Sequence, residues 1–383
     1  MNYHVFVVDD TTFRTHLEYM FVGIGAGNKK VPFLTNFEDT ELHHSTERNL
    51  VNMIADISRL CIGDKIIFYL QANKHHQGLF FGIFKVASTP FFDENDNDNF
   101  LKTELHKSLT FRCLIEPDNV YSVGVTEHDY LDSLNGITHP SQMCWSLIYR
   151  KLKGNRGCTM ITEFEFNMLV NKLRGVNRGI CLENISGFSF DNVNAQINIV
   201  ERQNQYNGRR DSINIQNRLL FKANCAQAFE VHLQTYILQN LSSENLCELL
   251  LQCPRIPYWV GNEVSCGVGM QRIDIMIKQE DDDNIYIKVI ELKCVVPELY
   301  ILSHQLKWYL DWVSDYIVPT YQGNNKTIHI IPCVIAKHTD DDNFLNNARQ
   351  QQYSLSVNNV IVDPVQYISF TINDRGINFV REL

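Results

Sequence analysis

The stretch RIDIMIKQEDDDNIYIKVIELKC, residues 272–294, decides the fold of the C-terminal part of the chain. Two runs rich in Ile and Val flank an acidic turn, a pattern that predicts a β-hairpin. The second run is apolar on both faces apart from Lys288, as expected of a strand that is covered on each side. It ends with Glu291 and Lys293, which are two residues apart and therefore lie on one face. A carboxylate and an ammonium at the end of an otherwise apolar strand indicate that these two residues have a chemical role.

The partner of Glu291 on the first strand is Asp274, 17 residues earlier. A hairpin of this length can bring the two carboxylates near each other, and they then raise each other's pKa unless a cation lies between them. Proteins hold Mg²⁺ with one or two carboxylates, together with waters and substrate phosphates. The hairpin therefore predicts a Mg²⁺ site, for which Mn²⁺ is the expected substitute. Lys293 would face the same pocket and polarise an attacking water.

A helix is predicted on each side of this hairpin. Upstream, AQAFEVHLQTYILQNL (226–241) has helical spacing of its apolar residues, and Glu230 borders that stripe. Glu244 and Glu248 are alternatives to Glu230 as the acid nearest the hairpin. Downstream, PELYILSHQLKWYLDWV (297–313) predicts a helix with an apolar stripe formed by Leu299, Leu302, Leu306, Leu310 and Val313. Gln305 and Tyr309 lie one turn apart on an adjacent face of that helix.

Asp274, followed by Glu291-Leu292-Lys293, resembles the PD-(D/E)XK nuclease superfamily, although Ile273 stands where that family usually has proline. The preceding acid and the Gln305/Tyr309 helix are similar to RecB-type nucleases and to the NucS group in particular, over residues 225–340. The resemblance implies a metal-dependent DNA endonuclease. Its implied catalytic residues are Glu230, Asp274, Glu291, Lys293 and Gln305, and its implied metal ligands are Asp274, Glu291 and the backbone carbonyl of Leu292.

Two non-catalytic interpretations remain open. The charged residues could form ordinary salt bridges, Asp274 with Arg272 or Lys293 and Glu291 with Lys293. The chain could also be a nucleic-acid-binding protein that retains an inactive nuclease fold. Among active enzymes, the leading hypothesis is a restriction-type, modification-dependent or sequence-specific enzyme of prokaryotic defence. A NucS-like repair nuclease for mismatched or branched DNA is the alternative.

The composition describes an ordinary globular protein of 383 residues, with 44% hydrophobic and 20% charged residues. No apolar run approaches the roughly 20 residues that span a bilayer, and no membrane partner is expected. The start, MNYHVFVVDD, lacks the features of a signal peptide, and eleven cysteines without a CxxC pair are typical of free thiols in a reducing compartment. We expect a cytoplasmic, nucleoid-associated prokaryotic protein.

The net charge of −10 is distributed unevenly. Residues 141–225 contain twelve Lys or Arg and six acids, which gives +6 there and −16 elsewhere. Phosphate binding depends on the local field rather than on the total. We therefore predict contacts to double-stranded DNA, although a solvated basic face remains the alternative. The candidate DNA-binding residues are Arg150, Lys151, Lys153, Arg156, and Arg209 and Arg210 beside an expected hairpin turn at Asn207–Gly208.

The strands GDKIIFYLQ and QGLFFGIFKVAS near the N-terminus resemble PUA-like, EVE-type modules over residues 1–130. The resemblance implies a domain that flips out a nucleotide and reads its base. Aromatic candidates for the base pocket are Phe68, Tyr69, Phe80, Phe81 and Trp145, for all of which core packing is the competing interpretation.

The chain as a whole is expected to be a multidomain protein of the α/β and α+β classes. It would comprise a PUA-like, β-barrel-type domain (1–135), a mixed helical basic region (136–222) that connects and contacts DNA, and a PD-(D/E)XK α/β core (223–383). Cutting both strands of DNA favours a homodimer.

Overall fold

The computed structural model describes the chain except for residues 26, 28, 132–135, 148–156, 184–186, 268–270, 322, 341, 356 and 374–375. The chain forms two compact units. The first comprises Met1–Thr35, His43–His139 and Met143–Ile213, and the second comprises Asn36–Leu42, Pro140–Gln142 and Asn214–Leu383. The mixed α and β content of several helices and two large sheets confirms the predicted class at this coarse level. In the described ranges, no helix combines the length and the apolar character that crossing a bilayer requires.

The first unit contains ten strands and six described helices. Its strands are β1 Tyr3–Val8, β2 Phe21–Ile24, β3 Lys65–Leu70, β4 Leu79–Val86, β5 Phe91–Phe92, β6 Phe111–Pro117, β7 Val125–Thr126, β8 Cys158–Ile161, β9 Gly187–Asp191 and β10 Gln196–Val200. Its helices are α1 Asp10–Tyr19, α2 Pro32–Thr35, α3 His44–Ser58, α4 Lys102–Leu105, α5 Glu127–Leu131 and α6 Glu163–Val176.

Eight strands of the first unit form one mixed sheet in the order β2-β6-β4-β3-β1-β8, with β5 added to β6 and β7 added to β4. Strands β1 and β3 are parallel, and the other neighbours are antiparallel. Pairing runs from β2 at one end to β8 at the other, so the predicted closure into a barrel stays a prediction. A separate hairpin, β9–β10, packs on helix α1.

Aromatic rings fill the interior of the first unit. Phe13 of α1 lies 5.1 Å from Phe68 and 4.8 Å from Phe190 between ring centroids. The proposed base-pocket residues Phe68, Phe80 and Phe81 are fully buried, and Tyr69 is 4% exposed. These four rings are therefore core residues, as the competing interpretation proposes. Trp145 is half-buried and is not part of the core.

The predicted middle region is not a unit of its own. Strand β8 pairs with β1, and α6 and the β9–β10 hairpin also belong to the first unit. Of the helical content predicted for this region, α6 is present, and residues 148–156 lie outside the described part. The expected hairpin turn at Asn207–Gly208 was wrong, because no strand lies between β10 and the helix that begins at Gln216.

The second unit contains seven strands and five α-helices among its described residues. Its strands are β11 Tyr258–Ser265, β12 Arg272–Glu280, β13 Asn284–Leu292, β14 Thr327–Lys337, β15 Val360–Val362, β16 Gln366–Asn373 and β17 Gly376–Arg381. Its helices are α7 Gln216–Asn224, α8 Glu230–Asn240, α9 Glu244–Leu250, α10 Lys307–Trp312 and α11 Asp342–Gln350. Helix α10 continues a π-helical segment, Ile301–Leu306, and runs into another, Val313–Ile317.

The sheet of the second unit has the order β11-β12-β13-β14-β16-β17, with β15 beside β14. The predicted hairpin is confirmed as the antiparallel pair β12–β13, and β13 then pairs in parallel with β14. A parallel pair needs a crossover connection, and the helical segment 301–317 supplies it. The prediction that Leu299 belongs to the apolar stripe of that segment was wrong. Leu299 is 40% exposed because the helix begins only at Ile301.

Strand β13 buries a lysine among apolar residues. Lys288 is 2% exposed and donates a hydrogen bond to the carbonyl of Leu249 (3.3 Å). Burial lowers the pKa of Lys288 from 10.5 to about 8. Below pH 8 the amine is protonated in both the folded and the unfolded chain, and the folded state then carries the full cost of the buried charge. Between about pH 8 and 10.5 the folded chain loses the proton first, so stability rises with pH in that window.

We expect Lys288→Met to raise the free energy of unfolding at pH 7 by about 1–3 kcal/mol, since the Leu249 carbonyl keeps its hydrogen bond from Arg381 when the lysine is removed. The gain should shrink towards pH 10.5. Urea unfolding at pH 7, 8.5 and 10 measures this difference, with Lys337→Met, at the exposed end of β14, as the control. A gain that stays constant with pH, or a loss at pH 7, would contradict the prediction.

Candidate active site

The β12–β13 hairpin brings the two predicted carboxylates together. Ile275 pairs with Ile290, and continuing this antiparallel register by one residue sets Asp274 opposite Glu291. Directly opposed residues share one face of the sheet, with Cβ atoms about 5 Å apart. The backbone N–H of Leu292 donates to Oδ2 of Asp274 at 2.8 Å, which ties the first carboxylate to the second strand. The two acids therefore meet at the end of the hairpin, as the sequence predicts.

Glu291 is buried and accepts two strong hydrogen bonds. It is 2% exposed; Lys293 Nζ lies 2.5 Å from its Oε1, and Tyr309 Oη lies 2.7 Å from its Oε2. The Tyr309 hydroxyl also lies 2.9 Å from the carbonyl oxygen of Arg272. Hydrogen bonds of this kind offset the cost of removing a carboxylate from water. The Lys293–Glu291 salt bridge of the non-catalytic interpretation is thus present, whereas Arg272 pairs with Glu263 on β11 rather than with Asp274.

The acids of the cluster carry more negative charge than Lys293 balances. Burial raises the pKa of Asp274 well above its ordinary value, and the charge of Glu291 raises it further, while the Leu292 N–H opposes this shift. Burial acts to lower the pKa of Lys293, but Glu291 and the other nearby acids outweigh it and raise the pKa. Lys293 is therefore held in its charged form beside the carboxylates.

Glu230 is the helical acid that reaches this cluster. It opens helix α8, and its charge acts on the pKa values of both Asp274 and Lys293. Glu244 and Glu248 are exposed and do not figure among the groups that shift either pKa. This geometry favours Glu230 over the two alternatives, and its role in catalysis stays a prediction.

Sequence reasoning missed Gln234, which fastens helix α8 to the site. Gln234 is 3% exposed, and its Nε2 donates to the backbone carbonyl of Asp274 at 2.8 Å. Since Gln234 lies one turn after Glu230, the same hydrogen bond fixes the angle at which α8 presents Glu230. A glutamine inside the buried stripe of a helix was the available signal, because buried amides are held by specific partners.

The donor atoms of the cluster suit a hard cation. Asp274 and Glu291 offer carboxylate oxygens and Leu292 offers a backbone carbonyl, the oxygen ligands that Mg²⁺ prefers. Within the described ranges, no three His, Cys, Asp or Glu side chains are arranged to hold a metal ion by themselves. A Mg²⁺ site here, held by the two carboxylates together with waters, therefore stays a prediction.

A cleft of about 500 Å³ adjoins the cluster. Arg272, Gln305 and Tyr309 line it, so the predicted glutamine lies on the same wall as the tyrosine that holds Glu291. Gln305 is half-buried, and its spacing of one turn from Tyr309 is as the sequence predicts.

The predicted DNA-binding residues fall into two groups. Arg150, Lys151, Lys153 and Arg156 lie outside the described residues. Arg209 and Arg210 are engaged within the first unit: the guanidinium of Arg209 pairs with Asp93 and Asp96, and that of Arg210 lies 5.8 Å from the ring centre of Phe91. Arg209 is therefore a structural ion-pair partner in the first unit.

The basic segment contains further structural cations. Arg218 and Lys222, on helix α7, are only 2% and 3% exposed. Part of the +6 charge of residues 141–225 is thus committed to the interior of the protein and is not displayed on a surface.

No family model matches the chain, and no curated protein matches it. Among solved structures, a hypothetical protein from Leishmania major is similar, with a TM-score of 0.28 and 11% identity, over 46% of this chain and 96% of that one. Human THYN1, in complex with DNA containing 5-methylcytosine, has a TM-score of 0.25 and 8% identity, over 45% of this chain and 98% of that one. A protein from Pseudomonas syringae has a TM-score of 0.27 and 13% identity, over 45% and 99%. Likenesses of this size carry no conclusion about function.

We expect Tyr309→Phe to lower the free energy of unfolding by about 1–3 kcal/mol. The change removes the hydroxyl that donates to the buried Glu291 but keeps the ring, so the cost is that of a hydrogen bond to a charged group. Denaturant unfolding measures this change. The control is Tyr300→Phe, which removes the same hydroxyl from a side chain that is 58% exposed and should change stability by less than about 0.5 kcal/mol. Equal effects of the two changes would contradict the role assigned to Tyr309.

Proposed function

We propose that the second unit is a metal-dependent phosphodiesterase that cuts DNA. The observation that supports this most strongly is the opposition of Asp274 and Glu291 across β12–β13, with Lys293 2.5 Å from Glu291. A structural ion pair needs one acid for one base, whereas Asp274 and Glu291 both lie near the single ammonium of Lys293. Two opposed carboxylates beside one lysine, next to a cleft that Tyr309 lines, support a site for a cation and a phosphate.

The residues of the chain have distinct tasks in this proposal. Asp274 and Glu291 would hold Mg²⁺, or Mn²⁺ in its place, with the carbonyl of Leu292 as a further ligand. Glu230 would complete or orient this set, and Tyr309 fixes Glu291. When bound, the metal supplies a water of lowered pKa and neutralises charge that grows on the phosphate.

Lys293 would steady the nucleophile, and its side chain is 26% exposed, which leaves its ammonium accessible from solvent. Gln305 is the polar side chain of the cleft wall one turn from Tyr309, and it would contact the substrate backbone.

The proposal for the whole chain is a restriction-type endonuclease in which the first unit reads DNA. Support comes from the resemblance of residues 1–130 to PUA-like modules and from the basic run Arg150, Lys151, Lys153 and Arg156 in the sequence. The core positions of Phe68, Phe80 and Phe81 exclude these rings as the base pocket of such a reader. A homodimer follows from the need to cut two antiparallel strands.

We expect the purified protein to cut DNA in Mg²⁺ or Mn²⁺ and to lose this activity by on the order of 10³-fold or more in Asp274→Asn and in Glu291→Gln, because transition-state stabilisation by a bound metal is worth several kcal/mol. Asp282→Asn, in the exposed turn of the same hairpin, is the matched control and should keep full activity. Matched plasmids with and without modified bases, together with a mispaired duplex, separate a restriction enzyme from a repair nuclease.

Binding of the same DNAs should persist in the two inactive variants. If all three variants cut as the parent protein does, the activity does not come from this cluster. If the parent protein binds DNA and cuts none of these substrates with either metal, the non-catalytic interpretation is favoured.

A further inference from the structure

We propose that Tyr300, His304 and Trp308 form a stacking platform for unpaired nucleotide bases beside the carboxylate cluster. This inference rests on the proposed function and narrows its substrate. Within a duplex substrate the cleft would take a locally splayed segment whose bases are unpaired, and it would also take a single strand.

His304 and Trp308 lie on the crossover helix, and Tyr300 directly precedes it with helical backbone angles. Because the three rings follow at intervals of four residues, they lie on one face. All three are exposed: Tyr300 is 58% and Trp308 is 43% exposed, and His304 belongs to the same class. The neighbouring Tyr309 and Leu310 are buried, which shows that the helix has an apolar side that faces the protein. The platform is therefore additional to the core-facing stripe.

The rings are ordered with respect to one another and to the backbone. Tyr300 and His304 stack with centroids 4.5 Å apart and planes inclined by 11°. The indole Nε1–H of Trp308 donates to the carbonyl of Cys266 at 2.7 Å. Gly267 lies directly against the same ring, and a Cβ at that position would be 3.1 Å from Cζ2 of Trp308. A tryptophan held in this way keeps its orientation although it is open to solvent.

The platform lines the cleft, and Tyr309 connects that cleft to the carboxylate cluster, whose acids do not themselves line it. Tyr300, His304 and Trp308 line it together with Arg272 and Tyr309. Tyr309 contacts Glu291 directly, at 2.7 Å. A base that stacks on this platform would thus carry its backbone into the neighbourhood of the proposed metal ligands.

Positive charge alone would not attract a ligand to this cleft. Lys307 pairs with Asp311 at 2.7 Å, and Arg272 pairs with Glu263, so these two cations already have partners. Attraction for a ligand must then come mainly from the rings. Stacking on aromatic side chains binds any base, because every base has a π-face, and it is accessible only where the base is unpaired. These features favour single-stranded nucleic acid over a duplex and over an acidic ligand.

The test is fluorescence-anisotropy binding of labelled oligonucleotides to the full chain carrying Asp274→Asn, which separates binding from cleavage. Three probes of one length are compared: a single strand, the same strand with abasic sites, and its duplex. Trp308→Ala and Tyr300→Ala are introduced separately, with Trp308→Phe as the conservative variant. Phe37→Ala, which removes another exposed ring from the second unit, is the control, and thermal unfolding establishes that each variant is folded.

We expect Trp308→Ala to weaken binding of the single strand by about 5-fold to 100-fold, and Tyr300→Ala to weaken it in the same direction. Trp308→Phe should restore most of the affinity, and Phe37→Ala should leave it unchanged. Binding of the abasic strand should not respond to any of these changes. Unchanged single-strand binding in both alanine variants would overturn the platform, as expected if the rings serve a protein partner instead.

Failure of the platform and failure of the nuclease proposal are distinguishable. Cleavage by the parent protein in Mg²⁺ or Mn²⁺ is measured in parallel. Cleavage together with ring-independent binding refutes the platform alone. Ring-dependent binding without cleavage supports the platform and contradicts the nuclease.

Discussion

The candidate site of the second unit depends on two carboxylates that lie close together where strands β12 and β13 are largely buried. Removing Asp274 and Glu291 from water costs several kcal/mol unless protein groups replace the lost hydration. The replacements come from different parts of the chain: the N–H of Leu292, the ammonium of Lys293 and the hydroxyl of Tyr309. A slip of one residue in the β12–β13 register would turn a carboxylate to the opposite face and break this set. The apolar residues of both strands hold the register, and so the core fixes the site.

Two helices are attached by hydrogen bonds to strand β12, one at Asp274 and one at Arg272. Helix α8 does so through Gln234, which donates to the carbonyl of Asp274, and the crossover helix does so through Tyr309, which reaches the carbonyl of Arg272. Each of these side chains lies next to a proposed functional residue, Gln234 one turn from Glu230 and Tyr309 one turn from Gln305. Sites carried by helices and strands hold their geometry better than sites on loops. Glu230 and Gln305 thus lie on helices that are attached to β12 by Tyr309, which the sequence singled out, and by Gln234, which it did not.

The sequence predicts well where local pattern and burial agree. The hairpin over 272–292 follows from two Ile- and Val-rich runs around an acidic turn. Failures occur where a distant partner decides. Arg209 looked available to DNA, but its carboxylate partners, Asp93 and Asp96, lie more than 110 residues earlier in the chain. The sequence predicts a separate connecting region over 136–222, because no local pattern there indicates that β8 pairs with the distant strand β1.

Two ionic clusters in this chain show what distinguishes a structural site from a candidate functional one. In the first unit, Arg112 and Arg209 face Asp93 and Asp96, with Arg112 and Asp93 fully buried 2.9 Å apart. Charges balance there, and the hydrogen bond from Arg209 lowers the pKa of Asp96.

In the second unit, the two acids Asp274 and Glu291 lie near one base, Lys293, and their charges do not balance. Burial, and then the charge of Glu291, drive the pKa of Asp274 in the opposite direction to that of Asp96. A closed, balanced cluster has no need of a further ion, whereas an unbalanced one beside an open cleft favours a cation from solution. The surplus of negative charge, rather than the burial of charge as such, is therefore the physical argument for chemistry at this site.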